Sequence, residues 1–257
     1  VSLSEEPNFP KNILVELSNA WNHKCVFCTN PKMTRTKSLL DGEVLRDVLA
    51  QGYELGAREV GFYATGEPLV HKKLAEFIKM SRDIGYDYTY ITSNGALAVA
   101  QRSEAILDAG IHSIKFSVNA GSRKTYKAVH GKDDWDKVVA NIKHISNYRK
   151  KKSYDVYLAI SYVTIERNRD EVDLLKSTLG QYVDEVTVVE AGPQGGYMNE
   201  NFENLSSTDR AKLIKPPCHN LFSRAHITAE GLLTMCCVDY QNYLAIADLT
   251  KVSLKDA

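Results

Sequence analysis

The sequence predicts an α/β fold built around a parallel sheet. Two observations indicate this. Six short β-prone runs alternate with helical patterns between residue 12 and about residue 190, and polar residues follow several of these runs. Strands alternating with helices are typical of parallel βαβ units, which place their functional loops at the carboxyl ends of the strands. With 257 residues the chain can bury one substantial core, or form a barrel with a small appendage. Periodicity alone leaves both an open sheet and an open barrel possible.

The first strand is predicted over residues 12–18, and the first helix begins after the N-cap Asp41 and ends at Gly56. The same alternation continues along the chain. Further strands are predicted at residues 59–64, 86–92, 113–118, 156–164 and 185–189, and further helices at 74–84, 97–107, 123–151 with a break near Gly131, and 170–179.

The pattern changes after residue 189. Residues 191–196 are typical of a flexible hinge, and residues 199–207 are polar with little periodicity. Two β-prone runs at 225–228 and 232–236 flank Glu230-Gly231, which predicts a β-hairpin. We therefore predict a domain over residues 1–190 and a small C-terminal extension over residues 191–257.

Composition restricts the partners and the compartment. The chain carries 32 basic and 32 acidic side chains, so no basic excess favours nucleic acid or an anionic membrane. It lacks both a basic N-terminal region followed by an apolar run and any apolar window near the ~18 residues of a membrane span. Its five cysteines make a poor disulfide framework at this length and suit metal ligation in a reducing compartment. We expect a soluble, cytoplasmic protein.

Two cysteines follow the first predicted strand. Cys25 and Cys28 lie three positions apart in the loop, a spacing that allows both thiolates to bind one metal centre. By itself this pair could hold zinc, an iron-sulfur cluster or a redox disulfide.

A second motif, Thr65-Gly66-Glu67-Pro68, follows the second predicted strand. Glycine permits close backbone approach, the Glu67 carboxylate can accept hydrogen bonds from an ammonium group, and proline fixes the direction of the chain. The alternative is an ordinary strand-to-helix turn.

Together these motifs resemble the radical S-adenosylmethionine (SAM) enzymes, in which C-x-x-x-C-x-x-C follows the first strand and G-G-E-P follows the second. Trp21 stands where the family has its first cysteine, and Thr65 replaces the first glycine. The resemblance implies a partial (β/α)6 barrel over residues 12 to about 190, and a 4Fe-4S cluster whose open iron binds SAM. The matching positions in the cysteine loop are Asn19, Asn22, Cys25, Phe27 and Cys28.

The resemblance also implies which residues bind these cofactors. Cys25 and Cys28 would ligate the cluster, and the loop at Gly66 and Glu67 would contact the amino group of SAM. The remaining candidates for the SAM carboxylate, ribose and adenine are Ser93, Asn94, Ser117, Asn119, Val163 and Asn168. Turn chemistry alone also favours Ser, Asn and Gly at such positions.

A further group of cysteines lies in the extension. Cys218, Cys236 and Cys237, with Gly231 five residues before Cys236, resemble the opening of SPASM or twitch extensions, which bind auxiliary iron-sulfur clusters. We predict Cys218 and Cys236 as metal ligands. Those extensions finish with further cysteines, so either the chain is truncated or the site is incomplete. The alternative is that one of the adjacent cysteines packs in a small core.

The resemblance implies an enzyme that cleaves SAM and abstracts a hydrogen atom from a peptide or carbohydrate-type substrate. Its partners would be that peptide or small-molecule substrate and an electron donor such as flavodoxin or ferredoxin. An indole has no lone pair for iron, so Trp21 is expected to impair the activity of an otherwise competent enzyme. The alternatives are a homologue that binds SAM without cleaving it, and a barrel module with Cys25 and Cys28 as buried thiols or a zinc clip.

Overall fold

The computed structural model describes residues 8–198 and 218–257. Residues 199–207, predicted to be polar and aperiodic, lie outside the described residues. The nine described strands form one sheet in the order β6-β5-β4-β3-β2-β1-β7-β8-β9. The strands are β1 (Asn12–Val15), β2 (Glu59–Phe62), β3 (Tyr88–Ser93), β4 (Ser113–Ser117), β5 (Tyr157–Thr164), β6 (Glu185–Glu190), β7 (Arg224–Ile227), β8 (Leu232–Thr234) and β9 (Ala245–Asp248).

Helices connect successive strands of the parallel part. They are α1 (Gly42–Glu54), α2 (Leu74–Ile84), α3 (Ala100–Asp108), α4 (Arg123–His130), α5 (Trp135–Lys152) and α6 (Val172–Leu179), and a short α7 (Asn220–Ser223) precedes β7. Strands β1 to β6 are parallel neighbours. The predicted α/β partial barrel is therefore confirmed. Its sheet is open, since β6 and β9 are the two edges in the described part of the chain.

Side chains alternate between the two faces of each strand, and the helices cover one of these faces. Ile13 and Val15 of β1 are fully buried in the core that the helices cover. Helix α1 packs directly on β1, because a Cβ atom added at Gly52 would lie 2.3 Å from Cδ1 of Ile13. The carboxylate of Asp41 caps this helix as predicted, accepting hydrogen bonds from the backbone N–H groups of Glu43 and Val44.

The C-terminal hairpin joins the same sheet, which sequence analysis did not predict. Strand β7 pairs with β1 in parallel, with Leu14 opposite His226. Strand β8 then pairs antiparallel with β7, and β9 continues the sheet. A domain boundary at residue 190 stays a prediction. In the described part of the chain, every helix is too short or too polar to cross a membrane.

Candidate cofactor site

The cysteine loop, residues 17–30, is docked on the end of α4 by backbone hydrogen bonds. The N–H of Lys24 donates to the carbonyl of His130 over 3.0 Å, and the N–H of Val26 donates to that of Val129 over 2.9 Å. Gly131 makes this contact possible, since its φ is +68° and an added Cβ would lie 2.7 Å from the Lys24 carbonyl oxygen. The helix break predicted near Gly131 is thus the point where the loop is held.

Cys25 and Cys28 are free thiols at this loop. The N–H of Cys28 donates to the Cys25 carbonyl over 3.1 Å, forming a tight turn that holds both residues. Burial raises the pKa of Cys25 to about 12, and the neighbouring Cys28 adds to the shift. Burial also raises the pKa of Cys28. Without a bound cation, both side chains are therefore neutral thiols near pH 7.

Trp21 lies half-buried beside Cys25. Its indole Nε1–H is buried and has no hydrogen bond of normal geometry to another described residue. It lies near enough to the Cys25 sulfur to oppose the effect of burial on the pKa of that thiol. The position that carries the first thiolate in the C-x-x-x-C-x-x-C pattern thus carries a hydrogen-bond donor without a ligating atom.

The Gly66-Glu67 turn packs against the cysteine loop. An added Cβ at Gly66 would lie 1.7 Å from the Ser18 carbonyl oxygen, so no larger residue fits there. The N–H of Glu67 donates to the carbonyl of Ala20 over 2.9 Å, and Asn30 Nδ2 donates to the carbonyl of Thr65 over 2.6 Å. The two motifs that sequence analysis singled out are therefore one structural unit.

The carboxylate of Glu67 organises the ends of two strands. It is fully buried. Its Oε1 accepts hydrogen bonds from the Ser93 hydroxyl over 2.8 Å and the Leu69 N–H over 3.1 Å, and its Oε2 accepts from the Asn94 N–H over 2.9 Å. Burial outweighs these donors and raises the pKa of Glu67 to about 7.

Asn94 connects this turn back to the cysteine loop. Its Nδ2 donates to Oδ1 of Asn22 over 2.7 Å, and its Oδ1 accepts from the N–H of Ala96 over 3.0 Å. Both polar atoms of the Asn94 side chain therefore have partners within the protein.

Asn119, Val163 and Asn168 meet at the ends of β4 and β5. The N–H of Val163 donates to Oδ1 of Asn119 over 2.6 Å, and Nδ2 of Asn168 donates to the Asn119 carbonyl over 2.9 Å. Within the described residues, neither Nδ2 of Asn119 nor the hydroxyl of Ser117 makes a hydrogen bond to the protein. These two groups remain available to a ligand at this rim.

His130, which the sequence did not predict as a site residue, connects Asn119 to the cysteine loop. Its Nε2 accepts the N–H of Asn119 over 3.1 Å, and its Nδ1 lies 3.5 Å from Sγ of Cys25. Burial, with a smaller contribution from His23, lowers the pKa of His130 to about 3, so the ring is neutral. Its position before Gly131, at the end of an amphipathic helix, was the only sequence signal.

A buried ion pair that the sequence did not predict also lies beneath the site. Arg35 donates to Oε2 of Glu16 over 2.6 Å, and the Thr65 hydroxyl donates to Oε1 of the same carboxylate. The N–H of Ala229, just after β7, donates to Glu16 Oε2 over 3.0 Å. A glutamate within the apolar run of the first strand was the available signal.

The C-terminal extension reaches the cysteine loop through Tyr240. The Tyr240 hydroxyl donates to Gln194, and Tyr240 lies close enough to Cys28 to lower the pKa of that thiol. In the extension itself, burial raises the pKa of Cys237, and the nearby thiols of Cys236 and Cys218 add to the shift. Across residues 8–198 and 218–257, no group of three or more His, Cys, Asp or Glu side chains is arranged to hold a metal ion.

Two relatives match nearly the whole of this chain. A probable GTP 3',8-cyclase of Sulfurisphaera tokodaii is 23% identical over 274 residues, covering 94% of this chain and 85% of that protein. One of Saccharolobus solfataricus is 26% identical over 259 residues, covering 95% of this chain and 79% of that protein.

Solved structures with the same fold include Streptococcus suis SuiB bound to the precursor peptide SuiA. That comparison has a TM-score of 0.76 at 14% identity, covering 97% of this chain and 64% of SuiB, so this chain spans less than two thirds of that protein. BtrN in complex with AdoMet and 2-DOIA has a TM-score of 0.63 at 16% identity, covering 98% of this chain and 82% of BtrN.

Residues 15–175 match the sequence family described as the Radical SAM superfamily. This match covers more than half of the chain and includes both the cysteine loop and the Gly66-Glu67 turn. The chain therefore belongs to the radical SAM superfamily, and this membership supports an enzyme with a 4Fe-4S cluster and SAM as its cofactors.

Proposed function

We propose that this chain is a radical SAM enzyme that binds SAM at the rim formed by the cysteine loop and the ends of β2, β3, β4 and β5. The observation that supports this best is the close approach of Gly66 to the Ser18 carbonyl, which joins the Glu67 turn to the cysteine loop. The Ser117 hydroxyl and the Asn119 Nδ2, which make no hydrogen bond among the described residues, suit the ribose or carboxylate of SAM. Val163 and Asn168, which hydrogen-bond with Asn119, would contact the adenine.

The hydrogen bonds that join Glu67 to Ser93 and Asn94 indicate the roles of these three residues. Because the Glu67 carboxylate already accepts three hydrogen bonds, its main part in this proposal is to hold Ser93 and Asn94 in place. Each carboxylate oxygen can accept two hydrogen bonds. Although Oε2 has only one donor in the described residues, the side chain is fully buried, so the backbone of the Gly66-Glu67 turn would contact the amino group of SAM.

The fit to the iron-sulfur cluster is incomplete. Cys25 and Cys28 would be its ligands, but position 21 lacks the third thiolate of the C-x-x-x-C-x-x-C pattern. When bound, the cluster would supply the electron that cleaves SAM. We infer that Trp21 impairs cluster binding, and hence SAM cleavage, in this form of the chain.

We keep a peptide or carbohydrate-type molecule as the proposed substrate. Structures that share the fold hold a precursor peptide in one case and the small molecule 2-DOIA in another. The relatives named as probable GTP 3',8-cyclases add a nucleotide as a further candidate. The electron would come from a donor such as flavodoxin or ferredoxin, in the cytoplasm. Residues 1–190 would carry the SAM site, and Cys218 and Cys236 of the 191–257 extension would bind an auxiliary cluster.

The test compares Trp21→Cys with Trp21→Ser after anaerobic reconstitution with iron and sulfide. Both variants remove the indole, but only the first adds a thiolate. We expect Trp21→Cys to contain more iron and sulfide than Trp21→Ser and the unaltered chain, to bind SAM, and to form 5'-deoxyadenosine. Equal iron content and equal turnover in all three forms would show that Trp21 does not impair cluster binding or SAM cleavage.

The second candidate is a homologue that binds SAM without cleaving it, which the Trp21 side chain beside Cys25 favours. In that case the unaltered chain would bind SAM, measured by equilibrium dialysis, and yield no deoxyadenosine. A colourless Trp21→Cys protein that does not bind SAM would instead support a barrel module of another kind.

A further inference from the structure

Strand β7 presents two basic side chains on the face of the sheet opposite the helices. Ala225 and Ile227 belong to the core under the helices. Because side chains alternate along a strand, Arg224 and His226 lie on the other face. On β1 their pairing partners are Asn12 and Leu14.

His226 lacks the hydrogen bonds that a buried imidazole normally makes. It is 3% exposed, and neither ring nitrogen has a hydrogen-bond partner in the described part of the chain. It faces a small cavity whose other polar and charged lining residues include Glu16, Arg35, Thr65, Thr234, Cys237 and Asp239. Buried polar atoms in native proteins are almost always paired with protein, water or ligand, so this ring indicates a missing partner.

Arg224 has no carboxylate partner among the described residues. None lies within 4.0 Å of its guanidinium among residues 8–198 and 218–257. The carboxylates of Glu16, just after β1, and of Glu59, on β2, already have partners, because Glu16 pairs with Arg35 and Glu59 accepts a hydrogen bond from Asn12. The half-buried guanidinium is therefore free to pair with an anion from outside the described chain.

Tyr63 completes the group. Its hydroxyl lies beside Arg224, whose charge and hydrogen bond oppose the effect of burial on the pKa of this phenol. The ring of Tyr63 lies 5.9 Å from that of Tyr90, which packs over Gly61. A phenol, a guanidinium and an imidazole thus lie together on one face of the sheet. The nearby carboxylates of Glu16, Glu59 and Asp239 already have partners among the described residues.

We propose that Arg224, His226 and Tyr63 form a subsite for an anionic oxygen group of the substrate, either a carboxylate or a phosphate. This rests on the proposed function, since the substrate would lie on this face of the barrel. The guanidinium would pair with two oxygens of the anion, while the Tyr63 hydroxyl and one imidazole N–H would donate to it. The three side chains would position the substrate and take no part in bond breaking.

The test measures binding of inorganic pyrophosphate and of succinate by isothermal titration calorimetry, at constant ionic strength and without SAM. Pyrophosphate represents a phosphate-bearing substrate and succinate a carboxylate-bearing one. We expect saturable binding of one probe, weakened about tenfold or more in Arg224→Gln. The control Arg46→Gln removes an exposed arginine of α1 and should bind as the unaltered chain does.

Tyr63→Phe keeps the ring and removes only the hydroxyl, so it tests the subsite even if Arg224→Gln fails to fold. We expect it to weaken binding of the same probe about threefold to tenfold. Absence of saturable binding of both probes to the unaltered chain would overturn the subsite. The subsite would also be overturned if Arg224→Gln bound the probe as tightly as the unaltered chain does. If Arg224→Gln does not fold, equal affinity of Tyr63→Phe and the unaltered chain would overturn the subsite instead. Because neither probe needs SAM or the cluster, failure of the proposed function would appear separately, as loss of SAM binding.

Discussion

The Nδ1 atom of His130 lies 3.5 Å from the Sγ atom of Cys25. Since Nε2 of the same neutral ring accepts the N–H of Asn119, the ring proton is on Nδ1 and faces the sulfur. One imidazole thus connects the cysteine loop to the end of β4, where Asn119 lies.

Replacing His130 with Phe should destabilise the protein. The new ring can still pack against Tyr126, whose ring centroid lies 4.1 Å from that of His130. The Asn119 N–H, however, would be left buried without an acceptor. We expect the free energy of unfolding in urea to fall by about 1–3 kcal/mol. His144→Phe on α5 is the control, since it removes only a half-exposed contact with Glu104. A loss no larger than that of His144→Phe would contradict this role for His130.

Replacing Gly66 with Ala should separate the Glu67 turn from the cysteine loop. The added Cβ would lie 1.7 Å from the Ser18 carbonyl oxygen, and both sides of this contact are backbone. We expect a loss of about 2–4 kcal/mol in the free energy of unfolding, and weaker SAM binding. Gly180→Ala is the matched control, because its added Cβ would meet only the Cβ of Lys176, at 3.9 Å. Wild-type stability in Gly66→Ala would show that the turn can move away from the loop.

Stability should depend on pH through Glu67. Burial raises the pKa of its carboxyl to about 7 in the folded protein, above its ordinary value of 4.5. The folded state therefore binds the proton more tightly, so the stability contributed by this proton is complete below about pH 4.5 and is lost as the pH rises to about 7. The loss is on the order of 3 kcal/mol.

Glu67→Gln removes the titrating group and should be less stable at low pH, because its amide N–H₂ would face a backbone N–H. Denaturant titrations of both proteins at pH 5, 6, 7 and 8 measure this difference. We expect the stability of Glu67→Gln relative to the unaltered protein to improve as the pH rises. A difference that stays constant over these four titrations would contradict the raised pKa.

Ser117→Ala separates a ligand-binding role from a structural one. The Ser117 hydroxyl makes no hydrogen bond within the described residues, so its removal should change the free energy of unfolding by less than about 0.5 kcal/mol. If this hydroxyl contacts SAM, its loss should weaken SAM binding about threefold to tenfold, measured by equilibrium dialysis with the reconstituted Trp21→Cys background. Ser177→Ala, on α6, should change neither quantity. Unchanged SAM affinity in Ser117→Ala would exclude this contact.

Local sequence signals predicted the bounds of a helix or strand well where residues close in the chain determine those bounds. Helix α2 has the predicted bounds, closed by Gly85 with a φ of +116°. For Tyr86, by contrast, the sequence predicts a place in the third strand, although β3 begins only at Tyr88. Its ring is buried and its hydroxyl donates to the Leu49 carbonyl over 2.9 Å, so packing against α1 decides its place.

The sequence by itself determined the alternation of strands and helices, the placement of Cys25 and Cys28 after β1, and the glycine needed at position 66. These depend on short-range geometry, since spacing, turn chemistry and helix caps act within a few residues. Only the tertiary structure decided the pairing of β7 with β1, the contact of His130 with Cys25 and the burial of Arg35 beside Glu16. Each of these contacts joins residues that are distant in the chain, and the order of the strands in the sheet decides which residues meet.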